Sequence, residues 1–97
     1  MSPAQIKQIV IEVLTQIQEL SGRDVPEITD QTQPIGDLPG FDSLSAEEAT
    51  IALSDRLGHQ IEGNPFFPEG KGRPPKVSQI VRRLVRLLAD ESASVGA

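Results

Sequence analysis

The sequence predicts a small all-α protein, a three- to four-helix bundle with one long loop and one irregular segment. Three observations carry that prediction. Apolar residues recur at helical spacing in three separate stretches. No stretch alternates apolar and polar residues as a half-buried strand does, and no hairpin signal is present. The length of 97 residues suits one domain with a modest core.

Each element has its own grounds. Ser2-Pro3-Ala4-Gln5 reads as a helix start, with Ser2 as cap, Pro3 in the first helical position and Gln5 completing a capping box. Ile6, Val10, Val13, Ile17 and Leu20 then mark a buried stripe, widened by Ile9, Ile11 and Leu14. Ser21-Gly22 ends this helix, with Gly22 as a left-handed cap. Residues 22–42 form a long connection, of a length that is uncommon unless functional or internally packed. Val25, Ile28, Ile35 and Leu38 are its candidate anchors, and a short helical turn is expected near Pro34–Leu38.

The second helix is expected over Ser43–Leu57, stopped by Gly58. Asp42 or Ser45 can cap it. Ala46, Ala49, Leu53 and Leu57 share the stripe predicted to face the core. Residues 59–75 carry four prolines and three glycines, which forbid a long helix. Phe66 and Phe67 in this segment are expected to fold back onto the bundle. The last helix runs from about Val77 to Ala89, burying Val77, Ile80, Val81, Leu84, Val85 and Leu88. The expected domain spans 1–91, followed by a flexible tail over 92–97.

Composition narrows the function. The chain has no cysteine, which excludes disulfides, thiolate metal sites and a cysteine nucleophile. Aromatic residues make up 3%, too few for a base-stacking surface, so no nucleic-acid partner is expected. No apolar run is long enough to enter a membrane, and no basic-then-apolar leader opens the chain. A cytoplasmic location and a monomeric state are the resulting expectations. Charge is uneven: residues 1–69 hold twelve acids and three bases, whereas residues 70–97 hold six bases and two acids. An acidic front half suits basic partners.

Residues 37–44 read Asp-Leu-Pro-Gly-Phe-Asp-Ser-Leu. They place Ser43 in the first turn of the second helix, directly after the long loop. A helix start offers free N–H groups and the positive end of the helix dipole, which together suit a phosphate ester. Leu44, Glu47, Glu48, Ile51 and Asp55 form a second face of the same helix. A face mixing apolar and acidic side chains suits docking of a partner, although acids near a helix start are favourable in any case. His59, the one histidine, follows the far end of that helix, which argues for a structural role over a Ser-His-Asp triad. Arg82, Arg83 and Arg86 fall on the outer side of the last helix and read as a solvated or ion-paired face. Gly63, Gly70 and Gly72 lack the spacing of a phosphate-binding loop.

The layout resembles the acyl carrier protein family over nearly the whole chain. Asp42-Ser43-Leu44 matches the family's motif, and Ile35-Gly36-Asp37-Leu38 resembles the family segment that ends in Asp-Leu shortly before the serine. Leu57, Ile61 and Val77 fall where the family places apolar core residues. The resemblance implies a bundle of acyl-carrier-protein type, with the Pro/Gly-rich 63–75 segment in place of a regular third helix. It implies a 4′-phosphopantetheine arm, taken from coenzyme A by a phosphopantetheinyl transferase and esterified to Ser43, with Asp42 and Leu44 flanking it. The arm's thiol would hold an acyl or aminoacyl group as a thioester. Loading and transferring enzymes with basic patches would dock on Leu44, Glu47, Glu48, Ile51 and Asp55. Fatty acid, polyketide and nonribosomal peptide synthesis are the family's settings. Such a protein carries its cargo without catalysing the chemistry, and no metal or catalytic residue is expected. The alternative is an unmodified helical adaptor that binds a basic protein through the same acidic face.

Overall fold

The computed structural model describes residues 1–96, with side chains through Ala89. Four helices account for the regular structure, and no strand occurs among the described residues. The fold is therefore a small helical bundle.

Helix α1, Pro3–Leu20, begins as its first residues dictate. The Gln5 N–H donates to Ser2 Oγ at 3.2 Å, and the Ser2 N–H donates to Gln5 Oε1 at 2.8 Å, a complete capping box. Its end is a Schellman turn. Gly22 takes φ +68°, the Gly22 N–H donates to the Glu19 carbonyl at 3.1 Å, and the Arg23 N–H donates to the Gln18 carbonyl at 2.9 Å. Glycine alone enters that backbone region without steric cost.

The connection that follows contains α2, Pro34–Asp37, a single turn whose Gly36 takes φ +124°. The loop is closed by its own bonds and by the last helix. The Val77 N–H donates to the Thr32 carbonyl at 2.8 Å, and the Ser78 N–H donates to the Asp30 carbonyl at 3.1 Å. Two donors that the start of α4 would otherwise leave open are thus met by the first loop.

Helix α3, Ser43–Leu57, carries Asp42 as its N-cap and left-handed Gly58 as its C-cap. Of the two caps the sequence allowed, Asp42 is the one used. Ser45 sits inside the helix and is buried. Helix α4 runs Val77–Gly96. It continues past Ala89, so the stretch expected as a tail is helical in its backbone to Gly96; Ala97 lies outside the described residues. Between α3 and α4 the chain makes only turns and bends, as its prolines and glycines require.

Helix α1 is the centre of the bundle and packs against both α3 and α4. The core holds Ile6, Val10, Val13, Leu14 and Ile17 of α1, Ala46, Ala49, Leu53 and Leu57 of α3, and Val77, Ile80, Val81 and Leu84 of α4. Burying each large side chain contributes about 1.5–3 kcal/mol. Most expected stripe positions are buried; Ile9, Val85 and Leu88 are half-buried against the core, and Ile11 is half-buried apart from it. Leu20 is 79% exposed, because the Schellman turn carries the chain away before anything covers the last turn of α1. Val25 is 39% exposed, so Leu38, together with half-buried Ile28 and Ile35, does the anchoring of the loop. Phe66 is buried and Phe67 is half-buried against the core. No helix among the described residues is long and apolar enough to cross a membrane.

Candidate functional site

Ser43 is the first residue of α3 and is exposed. The Asp42 carboxylate accepts the Ser45 N–H at 3.0 Å, and the Asp42 carbonyl accepts the Ala46 N–H at 2.9 Å. The Ser43 and Leu44 N–H groups come before the first i→i−4 acceptor of the helix and lie at its positive end. A hydroxyl, an adjacent capping carboxylate and a helix start are thus grouped at one exposed corner.

Asp42 is held in its charged form. Its carboxyl lies below the usual carboxylate range, first because the Ser45 N–H donates to it, then because the Ser45 hydroxyl donates at 3.1 Å. The Arg23 guanidinium adds a smaller attraction in the same direction, and a small desolvation opposes it.

The corner is braced by a polar cluster that sequence reading missed. Gln18 is fully buried. Its amide donates to the Pro39 carbonyl at 2.8 Å and to the Asp24 carbonyl at 3.1 Å. One side chain of α1 therefore ties down both ends of the approach to Ser43. Arg23 Nη1 donates to Ser45 Oγ at 2.9 Å and reaches Gln18 Oε1 at 3.5 Å. The Arg23 side chain lies against Gly40, where an added Cβ would sit 2.8 Å from Nε. In a Schellman turn the residue after the glycine often contacts the third-last helical residue through apolar atoms. Here Arg23 and Gln18 make that contact with polar ones. The only sequence signal was a glutamine next to the apolar stripe, one residue after Ile17.

An aromatic pair braces the other side. Phe41 is buried and its ring centroid lies 5.6 Å from that of Phe66, tilted by 58°. The 63–75 segment is thereby fastened beside the residue that precedes Asp42.

The second face of α3 is exposed as the spacing predicted. Leu44 is 64% and Ile51 is 61% exposed, and Glu47, Glu48 and Asp55 are exposed with them. Two large apolar side chains are thus exposed among three carboxylates on one face of α3.

The remaining candidates fall elsewhere. His59 follows the Gly58 cap, and its N–H donates to the Ser54 carbonyl at 3.2 Å. At ~1.5 Å per residue along α3, roughly 20 Å separate it from Ser43, so the two do not form a triad. An open cleft between Leu57, His59, Val85 and Leu88 lies at that far end. Arg83 and Arg86 approach Glu69 in the 58–76 connection, at 3.8 and 3.7 Å, rather than acids on another helix. No cluster of metal-ligating side chains occurs among the described residues.

Searches with protein-family models, curated proteins and solved structures find no match to this chain.

Proposed function

We propose that the chain is a carrier protein of the acyl carrier type, with Ser43 as the attachment point of a 4′-phosphopantetheine arm. The observation that carries the reading is an exposed serine, Ser43, at the first residue of α3, beside a charged Asp42 cap. The arm, when attached, would supply a thiol on which an acyl or aminoacyl group is held for other enzymes.

The chain's own part is recognition and placement. The N–H groups of Ser43 and Leu44 suit the anionic phosphodiester that esterification would create. Gln18, Arg23 and the Phe41–Phe66 pair keep the loop and the helix start in one arrangement, so the hydroxyl is presented without a folding step. Glu47, Glu48 and Asp55 would steer a basic enzyme patch towards α3, with Leu44 and Ile51 supplying apolar contact. Charges at the rim of a contact raise its on-rate more than its affinity, which suits a shuttle between enzymes.

The test is direct. The purified chain is incubated with coenzyme A and a broad-specificity phosphopantetheinyl transferase, and the intact mass is read. The wild type gains one arm, and Ser43→Ala gains none. A folded wild type that stays unmodified with several transferases overturns the proposal and leaves the unmodified adaptor.

A further inference from the structure

A second site lies away from Ser43, between the proline-rich connection and α4. Gln79, Arg82, Arg83 and Arg86 follow one another at i, i+3, i+4 and i+7, so they form a stripe along two turns of α4. Across from them, Phe67 and Pro75 provide an apolar wall and Arg73 adds a further guanidinium. Together they enclose an open cleft of about 290 Å³.

The wall is fixed in place. Asn64 Oδ1 accepts the Phe66 N–H at 2.9 Å, and Arg83 Nη1 donates to the carbonyls of Asn64 and Phe67 at 3.4 and 3.3 Å. One arginine is thus spent on shape, and the others present charge.

Glu69 supplies a separate indication. Its carboxylate lies 3.8 Å from Arg83 Nε and 3.7 Å from Arg86 Nη2. A direct charge-assisted hydrogen bond would be about 2.7–2.9 Å. Glu69 therefore sits near the guanidinium groups without seating on them, and it is mostly exposed on a segment that continues into Gly70 and Gly72. It acts as a loosely held internal anion. Among the side chains described, those through Ala89, no carboxylate pairs with Arg73 or Arg82.

The described side chains lining the cleft, four arginines against one glutamate, sum to +3. A lone carboxylate would leave most of that charge unmatched. A terminal phosphate carries about −1.5 to −2 at pH 7, and a second linked phosphate brings the total to about −3. Planar guanidinium forks also match phosphate oxygens two at a time. We propose that this cleft binds the diphosphate group of a small molecule, with the adjoining apolar part of that molecule against Phe67, and that Glu69 is displaced on binding. The site is independent of whether Ser43 is modified.

The test is a titration of the uniformly ¹⁵N-labelled full chain with sodium pyrophosphate at low ionic strength, followed by amide shifts. Saturable shifts confined to residues 65–75 and 79–86, with none over 47–55, are expected. Arg82→Ala together with Arg86→Ala should weaken binding by about tenfold or more, since hydrogen bonds to charged groups are lost. Both side chains are exposed, so the variant should keep its far-UV dichroism. Glu69→Gln should tighten binding severalfold, because the competing anion is gone. Shifts that do not saturate at millimolar pyrophosphate, or a Glu69→Gln variant that binds no better, would overturn the proposal. So would citrate or a poly-glutamate peptide binding as tightly as pyrophosphate, which would make the cleft a general acidic-partner surface.

Discussion

Replacing Gln18 with leucine tests whether one buried amide holds the approach to Ser43. Leucine is close in volume, so the change opens little cavity and acts mainly on hydrogen bonding. The variant removes the donors to the Pro39 and Asp24 carbonyls, at 2.8 and 3.1 Å, and the acceptor that Arg23 approaches. A typical hydrogen bond contributes about 0.5–1.5 kcal/mol net, and a stranded buried partner costs about 1–3 kcal/mol. Two part-buried bonds to carbonyls of exposed residues are lost, so the expected destabilisation is about 1–3 kcal/mol, a sizeable share of the ~5–15 kcal/mol that a domain of this kind possesses. Urea unfolding followed by far-UV dichroism measures it. Gln8→Leu is the matched control, because Gln8 is exposed and bonds only Glu12, at 3.1 Å. Amide exchange should localise the effect, with faster exchange at Phe41 and Ser45, whose N–H groups bond within the braced corner. If Gln18→Leu unfolds within about 0.5 kcal/mol of the Gln8→Leu control, the spread expected of a surface change, the bracing argument is wrong.

Four further outcomes are expected. Gly40→Ala should destabilise by about 1–2 kcal/mol from the left-handed backbone alone, and by more because the new Cβ meets Arg23 at 2.8 Å; calorimetry decides, and an unchanged Tm contradicts it. Phe66→Ala should cost about 3–5 kcal/mol in urea unfolding, as a fully buried ring leaving a cavity under Phe41. Asp42 has a folded pKa below its unfolded one, so its contribution is present above the unfolded value near 4 and disappears as pH falls through the folded value; Asp42→Asn should flatten that acid limb in pH-dependent unfolding, and an identical limb would refute the cap's role. Glu47→Lys with Glu48→Lys should slow arm transfer at Ser43 and weaken its salt dependence while leaving helicity unchanged, as read by a mass-resolved time course at two ionic strengths.

Much of the fold was legible because it depends on local chemistry. Ser2 with Gln5, Gly22 and Gly58 announce helix ends through backbone donors and left-handed turns that any context requires. The stripes of α1, α3 and α4 follow from period alone. Period does not say where a stripe runs out of neighbours, which is why Leu20 points to water. Nor does it say which loop residues meet the core: Val25 and Leu38 look alike in sequence, yet only Leu38 is buried. The position and exposure of Ser43 were legible, since Asp42 and the helix start define them. Its support was not. Gln18 is buried because two carbonyls of a loop need donors, and Phe41 is buried because Phe66 returns from residues far along the chain. Those needs arise only once the chain has folded.

The two bonds from Val77 and Ser78 to the Thr32 and Asp30 carbonyls give the molecule an internal clock. Neither amide can trade its hydrogen for deuterium without the 29–32 strap lifting from the start of α4. Their exchange times therefore report how often the 22–42 connection comes loose, read from the opposite end of the sequence. A change that frees that connection should quicken both amides together, while the amides inside α1 keep their pace.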